Sequence, residues 1–84
     1  MKNKLEYTHE DIDVKDHHGN TALFYAVKNS NLEITKLLLD IGADINKKCE
    51  FGNAPLHQAF INGDSVNSAK MIKFLINSGA NVKI

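Results

Sequence analysis

The stretch GNAPLHQA, residues 52–59, decides the fold, because a similar stretch, GNTALFYA, occupies residues 19–26. Four residues recur between the two stretches at a constant offset of 33: Gly19 as Gly52, Asn20 as Asn53, Leu23 as Leu56 and Ala26 as Ala59. A fixed offset of this length is the signature of a repeat architecture, in which each unit is one supersecondary element. The chain is therefore expected to be built from stacked units.

A second pair of related stretches follows, at a different offset. TKLLLDIGADI at 35–45 matches IKFLINSGANV at 72–82, and Gly42 corresponds to Gly79, 37 residues later. Apolar residues fill most of both stretches and leave a narrow polar face, which is typical of a helix packed on two sides. The change of offset indicates a four-residue insertion near 64–67, which we interpret as a lengthened surface loop, since such insertions cost little.

Each unit is predicted to contain a short first helix. Thr21 and Asn53 are good N-cap residue types, and because Ala54 takes the place of a threonine, Asn53 is the expected cap of the second unit. Pro55, the only proline, then falls in the first helical turn, where its missing N–H would have no partner in any case. These helices are expected to end near Lys28 and Ile61.

Each unit then continues into a second helix and a loop. Gly42 and Gly79 follow the second apolar stretches at the position where a left-handed residue closes a helix. The polar segment after Gly42 is too short for core structure, and it is predicted to form an extended, hairpin-like finger.

These motifs resemble those of the ankyrin repeat, whose consensus runs roughly D-x-x-G-x-T-P-L-H-x-A and then L-L-L-x-x-G-A-D-V-N. The corresponding stretches are DHHGNTALFYA (16–26) and LLLDIGADIN (37–46), then CEFGNAPLHQA (49–59) and FLINSGANVK (74–83). The resemblance implies an all-α, ankyrin-type helix-turn-helix solenoid with finger loops. It divides the chain into a partial repeat or N-terminal cap at 1–15, a first repeat at 16–48 and a second repeat at 49–84.

The composition of the chain argues against several classes of function. The formal net charge is zero, which argues against a nucleic-acid partner, and no apolar run approaches the ~20 residues of a membrane span. The first residues have no apolar segment of the kind found in secretory signals. A single cysteine cannot form an internal disulfide, so we expect a reducing compartment such as the cytoplasm, with export without a cleavable signal left open.

Two chemical sites can be imagined from the sequence, and neither is favoured. Cys49 with His57 could form a thiol nucleophile and its base, but no third orienting group is visible, and the resemblance gives His57 a loop-bracing role. His17, His18 and Cys49 lack the paired spacings of a zinc site. We therefore predict no enzyme, no catalytic residues, no cofactor and no metal site.

The resemblance implies a non-catalytic module that binds a protein partner through finger loops and first helices. Candidate partner-binding residues on this surface are Lys15, His17, His18, Tyr25, Lys48, Glu50, Phe51, Gln58 and Ile61. Two full units are fewer than the three that usually make a stable stack. Two further hypotheses therefore stay open: a truncated remnant or fragment of a longer ankyrin protein, and self-association through an uncapped C-terminal repeat.

Overall fold

A computed structural model of the chain describes residues 12–63 and 66–82. Its described helices are α1 (Ala22–Lys28), α2 (Leu32–Asp40), α3 (Pro55–Ile61) and α4 (Val66–Asn77), with a 3₁₀ turn at Glu50–Gly52 before α3. No strand occurs within these residues, so the predicted all-α, helix-turn-helix fold is confirmed. Most of the predicted cap, residues 1–11, lies outside the described residues.

The two first helices begin at equivalent positions but with different caps. The Thr21 side chain accepts a hydrogen bond from the Phe24 N–H at 3.2 Å, as predicted for an N-cap threonine. In the second unit the prediction of Asn53 was wrong, because Ala54 occupies the N-cap position and supplies no side-chain bond. Pro55 is at the first helical position, where it sets the helical φ and removes one N–H that would otherwise need an acceptor.

The second helices end as the two glycines predict. Gly42 has φ +104° and Gly79 has φ +100°, a left-handed conformation that glycine adopts without steric cost. The N–H of Gly42 bonds to the Leu39 carbonyl, and the N–H of Ala43 bonds to the Leu38 carbonyl, each at 3.0–3.1 Å. This pair of bonds is the Schellman motif, which satisfies carbonyls that the helix itself leaves free.

The first helix, α1, ends in the same motif with a serine in the glycine position. Ser30 has φ +56°, and its N–H bonds to the Val27 carbonyl while the Asn31 N–H bonds to the Ala26 carbonyl. A left-handed residue with a Cβ costs roughly 1–2 kcal/mol. The αα-turn of the first unit is therefore strained at one residue.

We expect Ser30→Gly to raise the free energy of unfolding by about 0.5–1 kcal/mol, because relief of the left-handed strain exceeds the extra entropy of glycine in the unfolded chain. Urea unfolding followed by circular dichroism measures the change. Ser78→Gly is the matched control, since Ser78 caps α4 without a positive φ and should lose stability instead. A destabilised Ser30→Gly would contradict the assignment of strain.

The hydrophobic core lies between the two helix pairs. Helix α1 packs against α2 and α3, and α3 packs against α4. The buried core residues are Leu23, Val27, Ala43, Leu56, Ala59, Met71, Leu75 and Ala80. Within the two described ranges, no helix is long and apolar enough to cross a lipid bilayer.

Three added residues, 66–68, lengthen a helix rather than a loop. Helix α4 begins at Val66, whereas the residue equivalent to the start of α2 at Leu32 is Ala69. The expectation of a longer loop was therefore wrong for residues 66–67, and residues 64–65 lie outside the described part of the chain. Ser68, in the added helical residues, is buried at the position equivalent to Asn31, the N-cap of α2.

Candidate partner-binding surface

Two finger turns precede the first helices, and the same backbone hydrogen bond closes both of them. We call residues 16–20 the first finger and residues 49–53 the second finger. The N–H of Asp16 bonds to the Asn20 carbonyl at 2.9 Å, and the N–H of Cys49 bonds to the Asn53 carbonyl at 2.8 Å. Each finger is thus a closed turn with one backbone–backbone bond between its ends.

A carboxylate organises the first finger. Asp16 accepts hydrogen bonds from the backbone N–H groups of His18 and Asn20, each at 3.0 Å, and from the Tyr25 hydroxyl at 2.5 Å. The Tyr25 bond, followed by the Asn20 bond, lowers the pKa of Asp16 to about 2. The same contact raises the pKa of Tyr25, because the hydroxyl proton is shared with a carboxylate.

The lowered pKa predicts a loss of stability in acid. A carboxyl with a lowered pKa in the folded state stabilises the fold above its unfolded-state pKa, near 3.8, and this contribution is lost as the pH falls toward 2. We expect wild type to exceed Asp16→Asn in stability at pH 6, and the difference to shrink between pH 4 and pH 2. Thermal unfolding of both chains across this range measures it. A difference that stays constant with pH would contradict this assignment.

A buried thiol takes the carboxylate's place in the second finger. Cys49 Sγ lies 3.7 Å from Thr21 Oγ1 and 3.7 Å from the Lys47 carbonyl oxygen, and it is a free cysteine. Instead of a side-chain acceptor, the Glu50 carbonyl accepts the Asn53 N–H at 3.1 Å. The turn is consequently tighter, and Phe51 adopts a left-handed conformation with φ +60°.

An asparagine joins the two fingers. Asn20 is buried, its Oδ1 accepts the Glu50 backbone N–H at 3.0 Å, and its Nδ2 donates to Glu50 Oε1 at 3.2 Å. The Nδ2 group also lies 3.4 Å from the Tyr25 hydroxyl. The sequence indicated this residue only through its recurrence at Asn53, and its bridging role was not predicted.

A repeated bond between successive loops was also not predicted. Asp13 Oδ1 accepts the Asp44 backbone N–H at 2.9 Å, and Asn46 Oδ1 accepts the Asn81 backbone N–H at 2.7 Å. The two acceptors are 33 residues apart and the two donors 37 apart, which are the offsets of the repeat. Each loop therefore holds the next one through a short polar side chain.

Comparison with known proteins identifies the family. A family model described as "Ankyrin repeats (3 copies)" matches residues 2–84. The chain belongs to the ankyrin-repeat family. The predicted resemblance is thereby confirmed, and the repeats of this family are in general non-enzymatic modules for protein–protein interaction.

Several relatives carry similar ankyrin repeats. The chain is 36% identical over 67 residues to a protein of Rickettsia bellii (strain RML369-C) named as an ankyrin repeat protein, and the match covers 77% of this chain and 40% of that protein. It is 35% identical over 78 residues to a similarly named protein of fowlpox virus (strain NVSL), with 93% and 17% covered. It is 40% identical over 73 residues to the B-cell lymphoma 3 protein homolog of Mus musculus, with 86% and 15% covered. The chain thus spans less than half the length of each of these relatives.

The ankyrin fingers and first helices place the predicted partner-binding residues in two groups. Those with exposed side chains are Lys15, His17, His18, Lys48, Phe51 and Ile61. The other three are partly buried and hydrogen-bonded: Tyr25 to Asp16, Glu50 to Asn20 and Gln58 to Asn62. The second group is held by these hydrogen bonds, while the side chains of the first group are exposed to solvent.

The histidines of these ankyrin units make few polar contacts. The His17 and His18 rings lie 4.1 Å apart on the exposed first finger. No group of three metal-ligating side chains occurs among residues 12–63 and 66–82. His57 is partly buried, and its Nδ1 makes no hydrogen bond in that same part of the chain, so the loop-bracing role implied by the family is not seen there.

Proposed function

We propose that this chain binds a protein partner, without catalysing a reaction, through its two fingers and the helices α1 and α3. We call this surface, together with Lys15 and Lys48 directly before the two fingers, the finger surface. Its exposed members are Lys15, His17, His18, Lys48, Phe51 and Ile61. Its two halves lie side by side because Asn20 bonds to Glu50 and α1 packs against α3. Stacked repeats use such extended surfaces for binding.

One observation carries this proposal: Phe51 is 89% exposed at the tip of the second finger. Its left-handed backbone is unusual for a bulky residue, and strained residues of this kind cluster at ligand-binding sites. Large aromatic side chains also supply much of the energy of protein interfaces when a partner covers them. Ile61, exposed at the end of α3, adds an aliphatic side chain to the same surface.

The finger surface is held in shape before any partner binds. The hydroxyl of Tyr25 bonds to Asp16, and Asn20 links both residues to the second finger. Ordering loops on binding costs affinity, so a surface already ordered by internal hydrogen bonds loses less. This supports rigid recognition by the fingers.

The proposal also covers the division of the chain into repeats, the class of its partner and its compartment. We propose the division into a partial repeat at 1–15 and full repeats at 16–48 and 49–84. A formal net charge of zero favours a protein over a nucleic acid as the partner. The one free cysteine suits a reducing compartment such as the cytoplasm.

Peptide selection tests the proposed function. Peptides that bind the immobilised chain are selected from a random phage-displayed library, and their affinities are measured by calorimetry. We expect Phe51→Ala to weaken binding by roughly 30-fold or more, since an interface hot spot contributes about 2 kcal/mol or more. Tyr25→Ala should also weaken it, in part by loosening the first finger.

The matched control for Phe51→Ala is Val66→Ala, an exposed apolar residue at the start of α4, away from the fingers. It should leave the affinity unchanged. Selected peptides that bind wild type and Phe51→Ala equally well would overturn the assignment of the finger surface.

A further inference from the structure

The turn that follows α3 contains the only Asn-Gly pair in the chain, Asn62-Gly63. An asparagine before a glycine is especially prone to spontaneous deamidation, because the glycine nitrogen attacks the side-chain carbonyl carbon and no Cβ hinders its approach. Gly63 is exposed, and a Cβ built on it would meet no atom within 4 Å. The turn therefore presents a reactive pair at an open position of the surface.

Hydrogen bonds hold both reacting groups of this pair in the folded chain. Asn62 Nδ2 donates to the Val27 carbonyl at 2.9 Å, and Asn62 Oδ1 accepts from Gln58 Nε2 at 2.9 Å. The backbone N–H of Gly63 donates to the Phe60 carbonyl at 3.3 Å. The ψ angle of Asn62 is −16°, whereas ring closure requires the Gly63 nitrogen to eclipse Cβ of Asn62. The folded conformation of the pair is therefore unreactive.

We propose that Asn62-Gly63 is a modification site where the fold slows deamidation and where deamidation weakens the contact between the two helix pairs. The reaction requires the Asn62 side chain to leave the Val27 carbonyl, so it takes place only during local openings of the turn. Segments at the surface open more often than the core does. The reaction therefore proceeds without global unfolding.

The chemistry needs only the chain and water. The Gly63 nitrogen loses its proton to hydroxide and attacks Cγ of Asn62. The bond from Cγ to the side-chain nitrogen breaks, and that nitrogen takes a proton from water and leaves as ammonia, which regenerates the hydroxide. Water then opens the succinimide ring at either of its carbonyl carbons and gives an aspartate or an isoaspartate. No oxidant or reductant is consumed.

Both products change the side-chain bond that Asn62 makes to the first helix pair. A carboxylate has no N–H, so the donor to the Val27 carbonyl is lost and an oxygen faces an oxygen instead. The bond from Gln58 survives, because a carboxylate oxygen still accepts it. The loss therefore falls on the contact between α3 and α1 and not on the bond within the second repeat.

The equivalent turn of the first repeat supplies an internal comparison. Asn29 and Ser30 occupy the positions of Asn62 and Gly63, at the repeat offset of 33. Ser30 is also left-handed, with φ +56° against +103° for Gly63, but its side chain hinders attack by its nitrogen. Asn29 is exposed, whereas Asn62 is only partly so. Deamidation is nevertheless expected at Asn62 first, because the following residue decides the rate.

Peptide mapping by mass spectrometry tests the proposal on the full 84-residue chain after incubation at neutral to mildly alkaline pH. Trypsin cleaves after lysine, which places Asn29 in residues 29–36 and Asn62 in residues 49–70, and fragment ions assign the converted asparagine. Asn62 should convert before Asn29. Conversion in guanidinium chloride should be roughly 10-fold faster or more, because a turn that is open less than about a tenth of the time reacts that much more slowly.

Gly63→Ser is the matched control for the reaction, because it gives the second turn the serine that the first turn already has. It keeps Asn62 and its bond to Val27. Asn62 should stay unconverted in this variant over the time in which wild type converts.

Asn62→Asp reproduces the carboxylate and tests its effect on the fold. It should lower the folding equilibrium constant, measured by urea unfolding, by roughly 5-fold or more, as expected when a shielded carbonyl loses its donor. Asn67→Asp is the control, because it places the same charge on an exposed residue in the first turn of α4, and it should not lower this constant. If Asn62→Asp does not fold, Asn62→Ala removes the same donor without adding a charge.

Three results would each overturn the proposal. Equal rates of conversion in the folded and unfolded chain would mean that the fold does not protect the turn. Conversion of Asn29 as fast as Asn62, or of Gly63→Ser as fast as wild type, would mean that the Asn-Gly pair is not the reactive site. Unfolding midpoints of Asn62→Asp and Asn62→Ala equal to that of wild type would mean that deamidation leaves the helix contact unchanged.

Discussion

Leu56→Ala should lower the free energy of unfolding by about 2–5 kcal/mol, the range measured for leucine deletions in packed cores. Leu56 is 1% exposed in α3, which packs against both α1 and α4, so the lost side chain leaves a cavity between the two helix pairs. A chain of 84 residues is expected to have only about 4–13 kcal/mol of stability in all. The substitution should therefore remove a large share of it.

Urea unfolding at low protein concentration measures this loss as a fall in the midpoint. Leu37→Ala is the matched control, because it removes the same atoms from a side chain that is 55% exposed on α2. Its cost should stay below about 1 kcal/mol, since little apolar surface leaves the core. Equal shifts for the two variants would mean that α3 is not packed as described.

Asn20→Ala is expected to cost about 1–3 kcal/mol, because it leaves the Glu50 backbone N–H without its acceptor in a site shielded from water. It also removes the donor to Glu50 Oε1 and the contact with the Tyr25 hydroxyl. The two fingers would then lose the side-chain bridge described between them. The largest local effect should appear at Glu50.

Hydrogen exchange distinguishes the local effect of losing this bridge from a general loss of stability. The Glu50 amide should exchange faster in Asn20→Ala by more than the change in global stability accounts for. Asn53→Ala is the control, because the Asn53 side chain makes no hydrogen bond within the described residues and should cost far less. If both alanine variants cost the same, the bridge contributes no stability of its own.

Local sequence signals predicted the helices well. Caps, turn residues and apolar periodicity predicted the ends of α1 and α3, at Lys28 and Ile61. They also predicted the left-handed glycines at 42 and 79. These features depend on residues within a few positions of one another. A short stretch of sequence is therefore enough to predict them.

Several features were not predicted, and some of them depend on the neighbouring unit. Asn53 has the chemistry of an N-cap, but Pro55 fixes the first helical position and leaves Ala54 as the cap. Asp13 and Asn46 looked like ordinary loop residues, and their bonds to the next loop appear only when the units are stacked. In the second finger Cys49 occupies the position of Asp16, and Phe51 has a left-handed conformation, which no local rule anticipates.

The residues of the finger surface were predicted by position and not by interaction. Equivalence to the repeat was enough to place seven of the nine side chains on the fingers and first helices and the other two, Lys15 and Lys48, directly before the fingers. It did not distinguish Tyr25, whose hydroxyl is hydrogen-bonded to Asp16, from Phe51, whose side chain is exposed. That distinction depends on hydrogen-bond partners, and it makes Phe51 the sharper target for mutation.

The position of Cys49 gives this protein an internal chemical reporter. Its thiol is the only one in the chain, and it is buried against Thr21, the N-cap of the neighbouring helix pair. An alkylating reagent reaches it only when the second finger separates from α1. The labelling rate of the unmodified protein therefore reports how often the second finger opens away from α1, without any added probe.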